Sequence, residues 1–248
     1  MKTNFIEEID KIITLALEED LGDGDHTSLS TIPETAFKDD GDVIEVGDVI
    51  FEVKGKSISI LSAERLALNF LQRMSGIATA TRQIVDLIKA TNTTVLDTRK
   101  TTPNLRIVEK YAVKVGGGAN HRFGLYDMIM IKDNHVDFAG GVVPAIKACQ
   151  QYLKQKEKDL KIEIEVRNFE ELQQVLDYGQ VHRIMLDNFT PEQTSEALTL
   201  INHRFETESS GNITIHNILD YAKTGVDFIS IGALTHHIKS LDLSLKAI

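Results

Sequence analysis

The chain has 248 residues, of which 42% are hydrophobic and 26% charged, and its formal net charge is −10. This length suits one α/β domain with or without a small second domain, and the composition is that of an ordinary soluble globular protein. The acidic pI near 5.3 argues against general nucleic-acid binding, and the lack of any run of 18 apolar residues argues against a transmembrane helix.

The N-terminal region predicts a helix followed by a turn. Apolar residues recur at helical spacing over residues 5–19, and the next segment, "LGDGDHTS", has the composition of a loop. The basic region, apolar core and cleavage site of a signal peptide are missing. Cys149 is the single cysteine, so no disulfide can form within the chain. These features predict a cytoplasmic location.

Residues 40–90 combine strand and helix patterns. Alternating residues with glycines at the turns predict short antiparallel strands over residues 40–60. Residues 62–90 have helical spacing on both sides of a break that we place at Ser75-Gly76.

From residue 93 onward, short apolar runs alternate with helical stretches. Strands are expected at residues 93–97, 128–132, 162–166, 183–187, 205–209 and 228–231. Helices are expected near residues 104–115, 141–156, 169–177, 191–201 and 214–223. This alternation predicts βα units around a parallel sheet. A barrel-like closure is favoured because the G-x-G-x-x-G of a doubly wound nucleotide-binding sheet is missing.

Cations concentrate where these strands end. Between residues 98 and 132 the chain carries seven Lys or Arg and two acids, a local charge of +5 in an acidic protein. Arg99 and Lys100 follow the first strand and Lys132 ends the second. Because carboxyl strand ends form the active-site face of α/β barrels, these residues and Arg122 predict a pocket for a ligand with several negative charges. Any one of them alone could instead be a solvated strand end.

Two carboxylates are expected beside this pocket. Glu165 lies near the end of the third strand and Asp187 ends the fourth. Such a pair suits ribose hydroxyls, Mg²⁺ or a developing positive charge on a sugar carbon, whereas the alternative is an ion pair with the pocket's own cations. The last two strands lead into small-residue loops, where barrels often bind phosphate. Three further cations are expected on the helix after the first strand, solvated or at an interface: Arg106, Lys110 and Lys114.

Long motifs resemble those of the quinolinate phosphoribosyltransferase family. In chain order they are "ERLALNFLQRMSGIATAT", "LDTRKTTPNLR", "GGGANHRFGLYDMIMIKDNH", "IEIEV", "IMLDN", "SSGN" and "TGVDFISIGALTHH". They cover residues 62–248, and "EEDLGDGDHTS" extends the resemblance towards the start of the chain. The resemblance implies an α/β fold: an N-terminal α/β sandwich domain with connecting helices over residues 1–90, an open seven-stranded α/β barrel (TIM-like) over residues 91–235, and a C-terminal segment, residues 236–248, that packs back on the N-terminal domain.

The resemblance also implies a reaction. Quinolinate and phosphoribosyl pyrophosphate would give nicotinate mononucleotide, CO₂ and pyrophosphate, with Mg²⁺ and without an organic cofactor, in the de novo synthesis of NAD. The implied partners are these two substrates and a second copy of the chain, as a homodimer or a larger assembly, with neither nucleic acid nor membrane involved.

Site residues follow from the matched motifs. The residues implied to bind the carboxylates of quinolinate are Thr98, Arg99, Lys100, His121, Arg122 and Lys132. The residues implied to be catalytic are Lys100, Glu165 and Asp187, of which the two acids would meet the ribose and, through the substrate, the metal. The residues implied to hold the 5′-phosphate are Ser210, Gly211, Asn212, Gly232, Ala233 and Leu234. Arg65 is implied to reach into the site of a partner subunit.

The region near residues 34–38 departs from the family pattern. The family carries a longer segment between "IPE" and "DGDVIEVGD", with a strand and a helix of the N-terminal domain, where this chain runs directly through "TIPETAFKDDGD". Either this chain has lost the segment, or the natural protein contains it. We favour the second, because losing a strand and a helix would expose the core of a small domain. Two alternative functions stay open: a related phosphoribosyltransferase for another ring, and a non-catalytic protein that keeps the anion pocket.

Overall fold

A computed structural model describes residues 2–21 and 34–248 of the chain, which group into two compact units. The described residues up to 81 form the first unit together with residues 101–117 and 234–248. The second unit contains residues 82–100 and 118–233. The predicted domains instead assigned residues 101–117 to the barrel. The loop expected at "LGDGDHTS" lies, from Gly22 onward, outside the described residues.

The first unit contains helices and one small sheet. Helix α1 spans Lys2–Leu21, and β1 (Glu34–Ala36) pairs antiparallel with β2 (Phe51–Val53). Helix α2 (Ser57–Ile88) contributes residues to both units, and α3 (Arg106–Val115) belongs to the first.

The expectation of strands throughout residues 40–60 was wrong. Within this range the structure has one strand, β2, and the helix begins at Ser57. The carboxylates of Asp42 and Asp48 accept hydrogen bonds from the backbone amides of Asp39 and Glu45, at 2.9 and 3.1 Å. These bonds form two local turns, so the amides are satisfied without a strand ladder.

The break predicted at Gly76 was also wrong, because α2 is continuous through it. A Cβ atom on Gly76 would lie 2.5 Å from the carbonyl oxygen of Lys239. The C-terminal segment crosses α2 here, and the amide of Leu241 donates a hydrogen bond to the carbonyl oxygen of Gln72 at 3.1 Å. The glycine therefore permits a close approach of two segments of the first unit rather than ending a helix.

Six parallel strands form the sheet of the second unit. In chain order they are β3 (Thr94–Leu96), β4 (Ile129–Ile131), β5 (Ile162–Val166), β6 (Arg183–Asp187), β7 (Glu206–Ser210) and β8 (Phe228–Ser230). Their order across the sheet is β4-β5-β6-β7-β8-β3, so the first strand lies beside the last. All six expected strands are confirmed within one residue at each end. Instead of a seventh strand, the described residues contain an isolated bridge between Leu96 and Ala119.

Helices connect the strands of this unit. They are α4 (Asp133–Ala139), α5 (Val142–Lys156), α6 (Phe169–Tyr178), α7 (Pro191–Ile201) and α8 (Ile218–Ala222). The last helix, α9 (Ala233–His236), starts at the final residue of the second unit, and its other residues belong to the first. The sequence did not predict α4, whose seven residues are too few for a periodic apolar pattern. Helix α8 is shorter than expected because Asn217 Oδ1 accepts a hydrogen bond from the amide of Thr214 and forms a turn. No described helix is long and apolar enough to span a bilayer.

The parallel sheet is apolar on one face and charged on the other. Ile162, Ile164 and Val166 of β5 pack in the buried core with residues of α5, α6 and α7. Because side chains alternate along a strand, Glu163 and Glu165 point to the opposite face. We call this opposite face the charged face, and the expected site residues lie where its strands end.

Candidate functional site

The carboxyl ends of the parallel strands hold most of the expected site residues. Those of the second unit are Thr98, Arg99 and Lys100 after β3, Lys132 after β4, Glu165 in β5, Asp187 at the end of β6, Ser210, Gly211 and Asn212 at the end of β7, and Gly232 and Ala233 after β8. Because the strands are parallel, these positions lie at one edge of the sheet, which we call the cationic edge. Arg65 and Leu234 belong to the first unit.

Arg99 and Arg122 are close enough for their charges to interact. Arg122 is half-buried, and its Nη1 donates a hydrogen bond to the carbonyl oxygen of Met128 at 3.1 Å. Burial and then the positive charge of Arg99 lower the pKa of Arg122. Arg99 is exposed, and its guanidinium makes no hydrogen bond or ion pair with the residues that the structure describes. The pair therefore offers an anion the donors of two neighbouring guanidinium groups.

A local turn presents Lys100 beside Arg99. The hydroxyl oxygen of Thr98 accepts a hydrogen bond from the amide of Lys100 at 3.0 Å. Such a side-chain turn bends the chain at the strand end, and it leaves the Lys100 side chain exposed at the cationic edge.

Lys132 and Glu165 form an ion pair. Lys132 Nζ lies 2.6 Å from Glu165 Oε2, which is the ion-pair alternative that the sequence left open. Asp187 is held differently, because its Oδ2 accepts a hydrogen bond from Asn188 Nδ2 at 2.7 Å. In the strand register Glu165 pairs with Met185, so Asp187 lies two residues further towards the carboxyl edge.

The loop after β7 is tied to the loop after β6. The amide of Asn188 donates a hydrogen bond to the carbonyl oxygen of Ser210, and Asn212 Nδ2 donates one to Asn188 Oδ1, both at 2.9 Å. Gly211 has a φ of +91°, and a Cβ atom there would overlap Asn188 Oδ1. Glycine is therefore required at this position by both conformation and space.

Asp97 organises the segment that leads to Arg122, a role that the sequence did not suggest. Its buried carboxylate accepts hydrogen bonds from Asn120 Nδ2 at 2.5 Å and from the amide of His121 at 2.9 Å. Together with the bridge between Ala119 and Leu96, these bonds hold the segment along β3.

His121 lies in a buried charged cluster that the sequence also missed. Its Nε2 is 3.0 Å from Glu163 Oε2 and 3.3 Å from Glu208 Oε2, and all three side chains are at most 4% exposed. Arg183 Nη1 lies 3.1 Å from Glu208 Oε2. We call these four residues the buried cluster.

The groups of the buried cluster shift one another's pKa values. Burial alone lowers the pKa of His121, but the contacts with Glu163 and Glu208 outweigh burial and raise it to about 9. Burial raises the pKa of Glu163. Burial acts in the same direction on Glu208, but the contact with His121 outweighs it and lowers the pKa of Glu208. Near neutral pH, His121 is therefore protonated and Glu208 is ionised, and Arg183 places a second positive charge beside Glu208.

The cluster also has the donor types of a metal site. The ligand atoms of His121, Glu163 and Glu208 all lie within 4.8 Å of one another. However, Arg183 already contacts Glu208, and the raised pKa of His121 keeps its imidazole protonated near neutral pH, where it has no lone pair for a metal. We therefore interpret the buried cluster as an ion-pair network rather than a metal centre.

A sequence signal for the buried cluster exists. Strands buried on both faces of a parallel sheet are normally apolar throughout. Here Glu163, Arg183 and Glu208 instead alternate with apolar or small residues in β5, β6 and β7. This alternation predicts a charged face, although it cannot show which charges meet.

A groove of about 520 Å³ lies elsewhere in the second unit. Its lining includes Lys161, His182, Glu206 and Asp227, which lie at the beginnings of β5 to β8. The groove is therefore at the amino edge of the sheet, opposite the cationic edge.

Two family descriptions together match most of the chain. Residues 77–246 match "Quinolinate phosphoribosyl transferase, C-terminal domain" and residues 26–75 match "Quinolinate phosphoribosyl transferase, N-terminal domain".

Individual relatives are similar over nearly the whole chain. Nicotinate-nucleotide pyrophosphorylase (carboxylating), chloroplastic, of Arabidopsis thaliana is 44% identical, and quinolinate phosphoribosyltransferase (decarboxylating) 1 of Nicotiana glauca is 45% identical. Each alignment covers 95% of this chain and 81% of the relative. The alignments span 285 positions while this chain has 248 residues, so at least 37 positions lack a counterpart here. The solved structure of nicotinate-nucleotide pyrophosphorylase from Francisella tularensis has a TM-score of 0.87 at 37% identity, covering 95% of this chain and 94% of that chain.

Proposed function

The chain belongs to the quinolinate phosphoribosyltransferase family, and we propose that its cationic edge holds quinolinate while the ring nitrogen receives a phosphoribosyl group. The activity is that of a nicotinate-nucleotide pyrophosphorylase (carboxylating), a pentosyltransferase of NAD biosynthesis. Quinolinate accepts the phosphoribosyl group and loses CO₂ to give nicotinate mononucleotide. In our proposal the donor is phosphoribosyl pyrophosphate and the leaving group is pyrophosphate.

The assignment of the quinolinate site rests on the proximity of Arg99 and Arg122. Quinolinate is a small ring with two adjacent carboxylates, and taking both out of water requires about two cationic partners. The guanidinium groups of Arg99 and Arg122 interact electrostatically at one strand edge. Lys100, Lys132 and the Thr98 hydroxyl would supply further donors there.

The carboxylates face the sugar in this proposal. As the bond to pyrophosphate breaks, its electron pair leaves with pyrophosphate and positive charge develops on the ribose carbon. Glu165 and Asp187, at the ends of neighbouring strands, would stabilise that charge. Lys132, which contacts Glu165 at 2.6 Å, would then be shared between Glu165 and a substrate carboxylate.

Decarboxylation follows from the charge on the ring. The nitrogen lone pair forms the new bond to ribose, so the nitrogen becomes a cation. When the adjacent carboxylate leaves as CO₂, its bonding electrons remain on the ring carbon, where the neighbouring cation stabilises them until a proton arrives. Because the ring itself stabilises these electrons, the step needs no organic cofactor. We propose that Lys100 contacts the reacting groups from the turn that Thr98 forms.

We also propose that Mg²⁺ enters as a complex with phosphoribosyl pyrophosphate. Carboxylate oxygens are the ligands that Mg²⁺ prefers, so Glu165 and Asp187 fit a metal that is held mainly by the substrate. The metal would supply charge neutralisation for pyrophosphate. The loop at Gly211, with the strand end at Gly232, would hold the 5′-phosphate through residues 210–212 and 232–234.

The finer architecture of the family is proposed here as well. The segment at Ala119, which bridges β3, would correspond to the seventh strand of an open barrel, and the N-terminal part would correspond to an α/β sandwich. Arg65 would reach into a partner's site, which makes a homodimer or a larger assembly the active form. We propose that this enzyme works in the cytoplasm, without nucleic acid or membrane as a partner.

The test is a reaction with purified protein, quinolinate, phosphoribosyl pyrophosphate and Mg²⁺. We expect nicotinate mononucleotide and CO₂ in equal amounts. Turnover of nicotinate without release of CO₂ would instead indicate a related transferase for another ring. Tight quinolinate binding without any product would indicate a non-catalytic binding protein.

A further inference from the structure

We propose that Glu163 and Glu208 are positioning residues of the quinolinate site, which act through His121 on the segment that carries Arg122. The inference rests on the proposed function of the cationic edge. It concerns two acids that would not touch substrate.

His121 connects the buried acids to the cationic edge. On one side, its Nε2 contacts the carboxylates of Glu163 and Glu208 at 3.0 and 3.3 Å. On the other side, its Nδ1 lies 2.7 Å from the amide nitrogen of Arg122. The amide of His121 in turn donates to Asp97. A shift of the ring would therefore disturb the backbone at Arg122.

The acids are themselves held in place. Arg183 contacts Glu208 through Nη1 at 3.1 Å and Glu206 through Nη2 at 3.1 Å, and Glu206 contacts Lys161 at 3.1 Å. The guanidinium of Arg183 also stacks on the ring of Phe228, 4.0 Å from its centroid. This chain of contacts runs along the charged face from its amino edge to His121. Arginine does not release its proton, so this chain of contacts cannot relay protons. We interpret it as a support for the two acids.

Packing alone does not explain these charges. Replacing a buried ion pair with apolar residues of similar volume is often neutral or stabilising, so a core does not require one. Here the charges lie next to the residues of an anion site, and the charge of Glu163 acts on Arg122 directly. Paired with His121 and Arg183, the acids are neutralised and do not repel a dianion.

Other groups near His121 do not replace this support. Asp97 bonds to the backbone amide of His121 and to Asn120, and Ser230 contacts Glu208. Arg99 and Asp127 act on Arg122. The acids that contact the imidazole ring itself are Glu163 and Glu208.

The test compares Glu163→Gln and Glu208→Gln with Glu206→Gln. The control removes the same charge from the same chain of contacts, two residues from Glu208, but it does not touch His121. We expect each of the first two variants to raise the KM and the Kd for quinolinate by about tenfold or more, as loss of a supporting partner does. The KM for phosphoribosyl pyrophosphate should change less than about twofold in all three proteins, and the control should retain its quinolinate KM.

A purely structural role gives a different result. If the acids only support the fold, the variants will lose active protein and kcat while the quinolinate KM stays unchanged, and the inference is then wrong. A wild-type protein that makes no nicotinate mononucleotide overturns the proposed function instead. If the wild-type protein is active and the Glu163→Gln and Glu208→Gln variants keep its KM and Kd for quinolinate, only this inference is overturned.

A second measurement needs no variant. In wild-type protein labelled with ¹⁵N-histidine, the ring nitrogens of His121 are expected to titrate near pH 9, above the ordinary imidazole pKa of about 6.5. Saturating quinolinate should shift its ring nitrogen signals, because the Arg122 amide that contacts Nδ1 moves with the substrate. Ribose 5-phosphate should not. If quinolinate leaves these signals in place, the ring does not transmit to the site and the inference is wrong.

Discussion

The Lys132 ammonium and the Glu165 carboxylate lie 2.6 Å apart and join the end of β4 to the end of β5. The family resemblance assigns these side chains to different substrates, Lys132 to quinolinate and Glu165 to the ribose. The contact shows that the two side chains lie next to each other at the cationic edge. A bound quinolinate carboxylate would therefore share Lys132 with Glu165. Replacing Glu165 tests this relationship.

Replacing Glu165 with glutamine should mainly affect the chemical step. The variant removes the charge that would stabilise the developing positive ribose carbon, so we expect kcat to fall about 100-fold. Lys132 stays cationic, so the quinolinate KM should change much less. Steady-state kinetics with both substrates checks this, and Glu170→Gln, an exposed acid at the start of α6, is the control. A kcat near that of the control would show that Glu165 does not take part in the chemical step.

Replacing Arg99 with alanine should weaken quinolinate binding by about 2–3 kcal/mol, because a charged hydrogen-bond partner of a dianion is lost. The dissociation constant can be measured by titration calorimetry. Arg82→Ala, which removes an exposed arginine from α2, should leave it unchanged. Equal affinities for the two variants would contradict the role of Arg99.

Replacing Gly211 with alanine should damage the proposed phosphate loop. The new Cβ would force a side chain into a φ of +91° and would also overlap Asn188. We expect the KM for phosphoribosyl pyrophosphate to rise about tenfold, since misplacing a binding loop weakens substrate positioning. Gly225→Ala is a matched control, because its φ is +88° but nothing lies within 4 Å of the added Cβ. If both variants keep the wild-type KM, the loop does not bind that substrate.

Stability should fall at alkaline pH because of His121. Its folded pKa of about 9 lies above the unfolded value of 6.5, so protonation stabilises the folded state. This contribution is complete below pH 6.5 and is lost as the pH rises through 9. Urea unfolding between pH 7 and about 10 should therefore show a smaller decrease in unfolding free energy for His121→Asn than for wild-type protein. Parallel decreases would contradict a raised pKa of His121 in the buried cluster.

Mixing two inactive variants tests the proposed sharing of sites. If Arg65 completes a partner's site, Arg65→Ala and Arg99→Ala proteins should form mixed dimers in which one of two sites is intact. With random subunit exchange, about one quarter of the wild-type activity should return. A mixture of Arg99→Ala with the double variant Arg65→Ala/Arg99→Ala should stay inactive. No recovery in proteins shown to exchange subunits would contradict sharing.

Periodic patterns predicted the strands of the second unit well, because burial of apolar residues determines both the sequence pattern and the strand positions. Each strand of the parallel sheet buries apolar residues against helices, so short apolar runs located all six strands within one residue. The same patterns failed where local bonding decided the outcome. Aspartate side chains formed turns between residues 39 and 48, and α4 was too short to show a period.

The cations were only partly assigned correctly from the sequence. Arg99 and Lys132 follow β3 and β4 at one edge of the sheet as expected, because parallel strands place their carboxyl ends together. Arg122 lies close enough to Arg99 for their charges to interact. Lys110 was expected to be solvated or at an interface, but it is 1% exposed within the first unit. Its neighbour Glu109 is also buried and contacts Arg73 at 2.6 Å, so α3 turns charged residues inwards. Helical position does not reveal this, because burial depends on what packs against the helix.

By itself, the sequence determined the parallel α/β sheet, the family, and the set of cations and acids at the strand ends. These follow from residue order, since alternation and motif spacing are properties of the chain. The tertiary structure alone decided which charges meet. Lys132 pairs with Glu165, and His121 joins acids from β5 and β7, which lie 45 residues apart in sequence at Glu163 and Glu208. Such contacts depend on strand order and register, and no local pattern encodes the distance between two side chains on different strands.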